Sequence, residues 1–111
     1  MVETLTPATA ADLLSNANVD LVDVRDEREF HAGHVPGARN IPLETLRADP
    51  DKFLSHDKAI VFVCAKGVRS LTAAKLAERL GYEKVSNLDG GTSAWTKAGF
   101  ELAIDPISVA A

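Results

Sequence analysis

The one cysteine of the chain, Cys64, opens the run Cys64-Ala65-Lys66-Gly67-Val68-Arg69-Ser70. Directly before it, Ala59-Ile60-Val61-Phe62-Val63 is apolar at every position and reads as a buried strand, and Leu71 to Leu80 after it reads as a helix. The thiol therefore sits where a strand ends and a helix begins, a place where backbone N–H groups and the helix dipole favour an anion. Lys66 and Arg69 add two positive charges within five residues, so the pattern predicts a thiolate of lowered pKa and raised reactivity. Cys64 is accordingly the candidate nucleophile, and Ala65, Lys66, Gly67, Val68, Arg69 and Ser70 are the candidate lining of its substrate site. Many free cysteines are inert core residues; the charged loop at a strand end sets this one apart.

A thiolate so placed suits acyl transfer, phosphate-ester cleavage, redox sensing or sulfur transfer. Acyl transfer asks for a general base beside the sulfur, and none of His31, His34 and His56 is placed there by its neighbours. Redox exchange within the chain asks for a second cysteine, and there is none. Four residues separate Cys64 from Arg69, whereas cysteine phosphatases place five in a cradle for a tetrahedral phosphate. The shorter loop makes a tighter ring of N–H groups, sized for one extra sulfur on Cys64.

The remaining elements follow from the hydrophobic pattern. Val2 to Leu5 makes a first strand, and Thr6-Pro7 is an N-cap with proline at the first helical position. Val19 to Val24 is a second strand with Asp23 near its C-terminal end, and Arg25 to Phe30 is a charged, short helical turn anchored by Phe30, its cluster Arg25 to Glu29 reading as a solvated face. Gly33 to Ala38 is an ordered loop, Ala38 to Pro42 a short strand, and Leu43 to Leu54 a helix broken or kinked at Pro50. Ser70 caps the helix that ends at Gly81, Glu83 to Leu88 is the last strand, and Thr92 to Ala98 is a short helix after the Asp89-Gly90-Gly91 turn. Asp105 to Ala111 reads as a frayed end.

Strands alternating with helices specify an α/β domain whose parallel sheet carries helices on both faces. Ligands bind beyond the carboxyl ends of such strands, which groups Asp23-Val24-Arg25, Cys64 to Ser70 and Asp89-Gly90-Gly91 around one mouth. Asp23 reads as a buried partner for loop N–H groups or a nearby arginine. Arg25 either pairs with a carboxylate or lines the mouth, and both residues support the site from behind the loop. Trp95 reads as core packing, and Gly90 and Gly91 as backbone that lets the last loop approach Cys64. His31 and His34, three apart, are two ligands at most, so no metal and no cofactor is expected.

The chain has 111 residues, which suits a single domain over 1–111, with 46% hydrophobic and 25% charged residues. Its net charge of −4 does not favour nucleic acid or an anionic membrane. No basic region precedes an apolar stretch at the N-terminus and no apolar run approaches about 20 residues, so a soluble, cytoplasmic protein is expected.

The cysteine loop resembles the active-site loop of the rhodanese family of sulfurtransferases. Leu21-Val22-Asp23-Val24-Arg25 with Glu29-Phe30, Gly33-His34-Val35-Pro36-Gly37-Ala38 and Asn40-Ile41-Pro42 is similar to that family's N-terminal signature. Leu88-Asp89-Gly90-Gly91 with Ala94-Trp95 and Gly99 is similar to its C-terminal one. The resemblance spans about positions 4 to 102 with the motifs in order. It implies a rhodanese-like fold, a central parallel sheet of about five strands flanked by helices on both faces. It also implies transfer of sulfane sulfur from thiosulfate or a similar small anionic donor, through a persulfide on Cys64, to cyanide or a thiol. N–H groups of residues 65–70 would hold the persulfide, and Lys66 and Arg69 would attract the donor and stabilise departing sulfite. Relatives that use 3-mercaptopyruvate tend to carry uncharged Gly-Ser-Gly-Val-Thr after the cysteine, and the charged loop here favours thiosulfate. A sulfur carrier or sensor handing persulfide to a partner protein is the alternative, with a cysteine phosphatase or arsenate reductase on the related fold behind it.

Overall fold

In the computed structural model, residues 1–16 and 18–104 are described, and the expected frayed end, 105–111, lies outside them. Five parallel strands form one sheet in the order β1-β5-β4-β2-β3: β1 Glu3–Leu5, β2 Val19–Asp23, β3 Arg39–Asn40, β4 Ala59–Val63 and β5 Val85–Leu88. The all-apolar β4 takes the centre, where both of its faces are covered.

Period-two alternation along the strands separates two cores. Val22, Val24, Ile60, Phe62 and Val85 point to one face, against Leu46 of α3 (Leu43–Ala48) and Ala73, Ala74 and Ala77 of α5 (Val68–Arg79). Leu5, Leu21, Val61, Val63 and Leu88 point to the other, against Ala10 of α1 (Pro7–Leu14) and Trp95 of α6 (Gly91–Lys97). Residues 60, 62 and 64 share a side, so the pleat that buries Ile60 and Phe62 directs Cys64 toward α5. Helices thus lie on both faces, as expected.

Local chemistry moves several boundaries. The charged turn closes into α2 (Glu27–Ala32), because Asp26 accepts from the Glu29 N–H while the Glu29 carboxylate accepts from the Asp26 N–H, a reciprocal capping box. The helix expected over Leu43 to Leu54 is two: α3 stops at Ala48 and α4 (Pro50–Phe53) restarts at the proline. Asp49, with φ −156° and ψ 75°, is held out of helical geometry by the ring that follows it. Ser70 is not the N-cap of α5. Gly67 is, in the left-handed region at φ +98°, and Ser70 lies one turn inside with its hydroxyl free for another partner.

Candidate active site

Cys64 follows β4 without an intervening residue and is 1% exposed. The Gly67 N–H donates to its Sγ at 3.1 Å and the Ser70 hydroxyl donates at 3.2 Å. Burial alone raises the pKa of this thiol. The Ser70 hydroxyl and the N–H groups of Ser70, Lys66 and Gly67 outweigh that effect, and the pKa lies below its ordinary value. The cysteine loop is thus an anion site built mainly from hydrogen-bond donors.

The donors point inward because the carbonyls of the same peptides are held from outside. The N–H groups of Thr92 and Ser93, at the start of α6, donate to the carbonyls of Cys64 and Ala65 at 2.9 and 3.1 Å. A peptide's N–H and C=O are antiparallel, so fixing those two oxygens on α6 turns the Ala65 and Lys66 N–H groups the other way. This contact requires Gly91: at φ +59°, a Cβ there would stand 2.2 Å from the Cys64 carbonyl oxygen. On a third side, the Asn87 side-chain amide donates to the Gly67 carbonyl at 3.3 Å.

The three segments grouped by topology do meet. Val24 N–H donates to the Val63 carbonyl at 3.0 Å, which sets the end of β2 beside Cys64, and the Gly90–Gly91 turn packs on residues 64 and 65. Asp23 and Arg25 form a buried ion pair in which Arg25 Nε and Nη2 clasp the carboxylate at 2.8 to 3.1 Å. Arg25 Nη2 also donates to the Gly33 carbonyl at 2.7 Å, and the Arg25 N–H donates to Asp23 at 2.9 Å. Of the two readings for Arg25, the structure shows the ion pair, and this buried residue does not belong to a solvated face. His34 is buried, stacked on Phe30 at 3.9 Å, with Nδ1 2.9 Å from the Phe30 carbonyl. It ties down the loop after α2. Trp95 packs in the core and donates to the Glu101 carbonyl at 2.9 Å.

The two cations of the loop differ in a way their spacing does not reveal. Lys66 is exposed, while the Arg69 guanidinium grips both oxygens of Glu29 at 2.7 and 2.9 Å. Arg69 holds the Glu29 carboxyl down to about 2, and Glu29 in turn raises the pKa of Arg69. Glu29 is therefore part of the site's surroundings and not of a solvated face. Its capping-box spacing from Asp26 was visible in the chain, but nothing local points to a partner 40 positions away. Asn87 was missed as well. Its signal was a polar residue inside a strand whose every position is buried.

The model of the rhodanese-like domain family matches residues 6–98. The chain belongs to the rhodanese-like family. A thiosulfate sulfurtransferase, GlpE, of Shewanella oneidensis is 38% identical over 84 residues, which cover 73% of this chain and 79% of that protein. The human thiosulfate:glutathione sulfurtransferase is 35% identical, over 75% of this chain and 84% of that one. The uncharacterized protein YqhL of Bacillus subtilis is 40% identical over 68% of this chain, and the match spans only 59% of its own length. A rhodanese-related protein of Thermoplasma volcanium superposes with a TM-score of 0.83 at 25% identity, covering 93% of this chain and 99% of that one. These relatives place the rhodanese-like chain among the sulfurtransferases. No helix among its described residues is long and apolar enough to cross a membrane.

Proposed function

We propose that the chain moves sulfane sulfur from thiosulfate, or a similar small anionic donor, to cyanide or a thiol through a persulfide on Cys64. The Cys64 thiolate attacks the outer sulfur of thiosulfate, the S–S bond of the donor breaks, and its electron pair leaves on sulfite. An acceptor thiolate then attacks the outer sulfur of the persulfide, carries it away and returns Cys64 as thiolate; with cyanide the product is thiocyanate. The hydrogen bonds of Gly67 N–H and the Ser70 hydroxyl to Sγ carry this reading. They are set in the fold before any donor arrives, so negative charge on the first or the added sulfur meets dipoles that need no reorganisation.

The 1% exposure of Cys64 supports transfer of a single atom over attack on a bulky ester. With the fork of Arg69 on Glu29, the charge that draws in the donor comes chiefly from Lys66 and the N–H ring. Ala65, Gly67 and Val68 contribute through their backbone. Asp23 and Arg25 serve by tying the end of β2 to the loop after α2. The lone cysteine in the sequence supports direct transfer to an acceptor from outside, small thiol or partner protein, because the chain holds no second thiol to resolve a persulfide. We place the protein in the cytoplasm and read residues 1–111 as one domain.

The test is intact-protein mass spectrometry after incubation with thiosulfate, run beside a thiocyanate assay. A mass gain of one sulfur, removed by cyanide and absent in Cys64→Ser, is the expected result. Wild-type protein that takes up no sulfur overturns the reading. Uptake without turnover on any small acceptor makes the chain a sulfur carrier rather than an enzyme of its own.

A further inference from the structure

Beside the cysteine loop lies an open groove of about 220 Å³ lined by Val24, Asp26, Pro42, Leu43, Glu44 and Arg69. Arg69 is its one cation, and both ends of that guanidinium are already taken by Glu29. The carboxylate is not a wandering surface group. The Glu29 backbone N–H donates to Asp26 Oδ1 at 2.8 Å and Glu29 Oε1 accepts from the Asp26 N–H at 3.4 Å, so the capping box of α2 fixes the carboxylate in front of Arg69. A planar, bidentate grip on a carboxylate is the same geometry with which arginine takes a sulfonate-like or phosphate-like anion. Glu29 therefore sits where the oxygens of an anionic donor would bind, and with Glu44 paired to Arg47 at 3.5 Å, Asp26 and Glu29 still outweigh the Arg69 guanidinium.

We infer that Glu29 is a specificity-determining residue, an internal anion that competes with the donor for Arg69 and restrains the use of dianionic thiosulfate. The inference rests on the sulfurtransferase reading. Thiosulfate still reaches Cys64 past Lys66, but against a groove held net negative. Releasing Arg69 returns one positive charge to the mouth, which an anionic donor feels in proportion to its own charge.

The experiment compares wild type with Glu29→Gln on two donors, thiosulfate with two negative charges and methanethiosulfonate with one. Glu29→Gln is expected to lower the KM for thiosulfate by roughly three- to tenfold with kcat within about twofold, and to lower that for methanethiosulfonate by about the square root of that factor. The pH profile of Cys64 alkylation by iodoacetamide should move to lower pH in the same variant, because the thiolate also gains an unneutralised cation. A role confined to bracing the loop would leave that midpoint in place or raise it. Glu29→Asp keeps the charge and the Asp26 cap on the residue-29 N–H but draws back from the fork by one methylene. It is expected to lower the thiosulfate KM by about half as much on a logarithmic scale, and it carries the test should Glu29→Gln fail to fold. A thiosulfate KM that neither variant lowers, or that moves equally for both donors, overturns the inference while wild-type sulfur uptake still stands. Absence of uptake from either donor by the wild type would instead overturn the sulfurtransferase reading beneath it.

Discussion

The Ser70 hydroxyl lies 3.2 Å from Cys64 Sγ at a buried position one turn into α5, where water does not replace it. The charges on Lys66 and Arg69, which the spacing presents as the obvious activators, play the smaller part, one exposed and the other paired. A hydrogen bond to a charged group contributes about 1.5–3 kcal/mol, so losing this one disfavours the thiolate in particular. The sign follows from the protonation equilibrium. The native thiol titrates below its ordinary value, and removing a donor to the anion shifts the titration upward. Ser70→Ala is therefore expected to move the alkylation profile of Cys64 to higher pH and to slow alkylation at pH 7 roughly tenfold. Thermal stability should change by less than about 1 kcal/mol, since a small buried hydroxyl is replaced by hydrogen. The absorbance of the thiolate near 240 nm, followed against pH, checks it. An unchanged midpoint would return the activation of Cys64 to the helix dipole and the two cations.

At the level of elements, the arrangement of strand ends around the mouth was legible because it depends on near-neighbour patterns. The uniformly apolar β4 could only be central, and Gly90-Gly91 before a helix could only be a tight turn brought close to something. The contacts that orient the loop were not legible. They join Thr92 and Ser93 to residues 64 and 65, and Glu29 to Arg69, by register between elements far apart in the chain. Ser70 misled because serine favours both caps and first-turn positions, and the left-handed Gly67 had already ended the loop three residues earlier. Two glycines test whether this contact between elements is what matters. Gly81 and Gly91 both have positive φ, +91° and +59°, so alanine is strained by about 1 kcal/mol at either. A Cβ on Gly81 meets nothing within 4 Å, whereas one on Gly91 would meet the Cys64 carbonyl oxygen at 2.2 Å and the Ala65 carbonyl carbon at 2.6 Å. Gly81→Ala is expected to cost about 1 kcal/mol in urea unfolding and to leave sulfur uptake unchanged. Gly91→Ala should cost more than about 2 kcal/mol, because backbone cannot step aside as a side chain would, and should slow uptake by more than tenfold. Equal losses in the two variants would mean that α6 does not orient the loop.

Across the whole molecule the charges oppose the local site. The chain carries a net charge of −4 spread over a body with a radius of gyration of 13.2 Å, while the proposed donor, thiosulfate, is a dianion and Lys66 is the exposed cation of the loop. With Lys66 counted separately, Coulomb's law in water puts the long-range repulsion from the rest of the chain at about 2 kcal/mol for a mean separation of roughly 20 Å, before screening. The Debye length is about 30 Å at 10 mM salt and about 10 Å at 100 mM, so this repulsion falls by roughly 0.8 kcal/mol between the two. The attraction to Lys66 acts over a few ångströms and is screened much less, by about 0.4 kcal/mol over the same range. The two losses offset in large part, and wild-type kcat/KM for thiosulfate is expected to rise by no more than about twofold between 10 and 100 mM salt. Lys66→Ala removes the short-range attraction and leaves the chain one charge more negative. Its kcat/KM should be lower at every salt concentration and should rise about three- to fourfold with salt, the repulsion being then unopposed. A wild-type rate that falls steeply with salt would show that cationic steering governs approach, against the pairing of Arg69 with Glu29. A Lys66→Ala rate that is flat in salt would show that the body's charge does not reach the mouth.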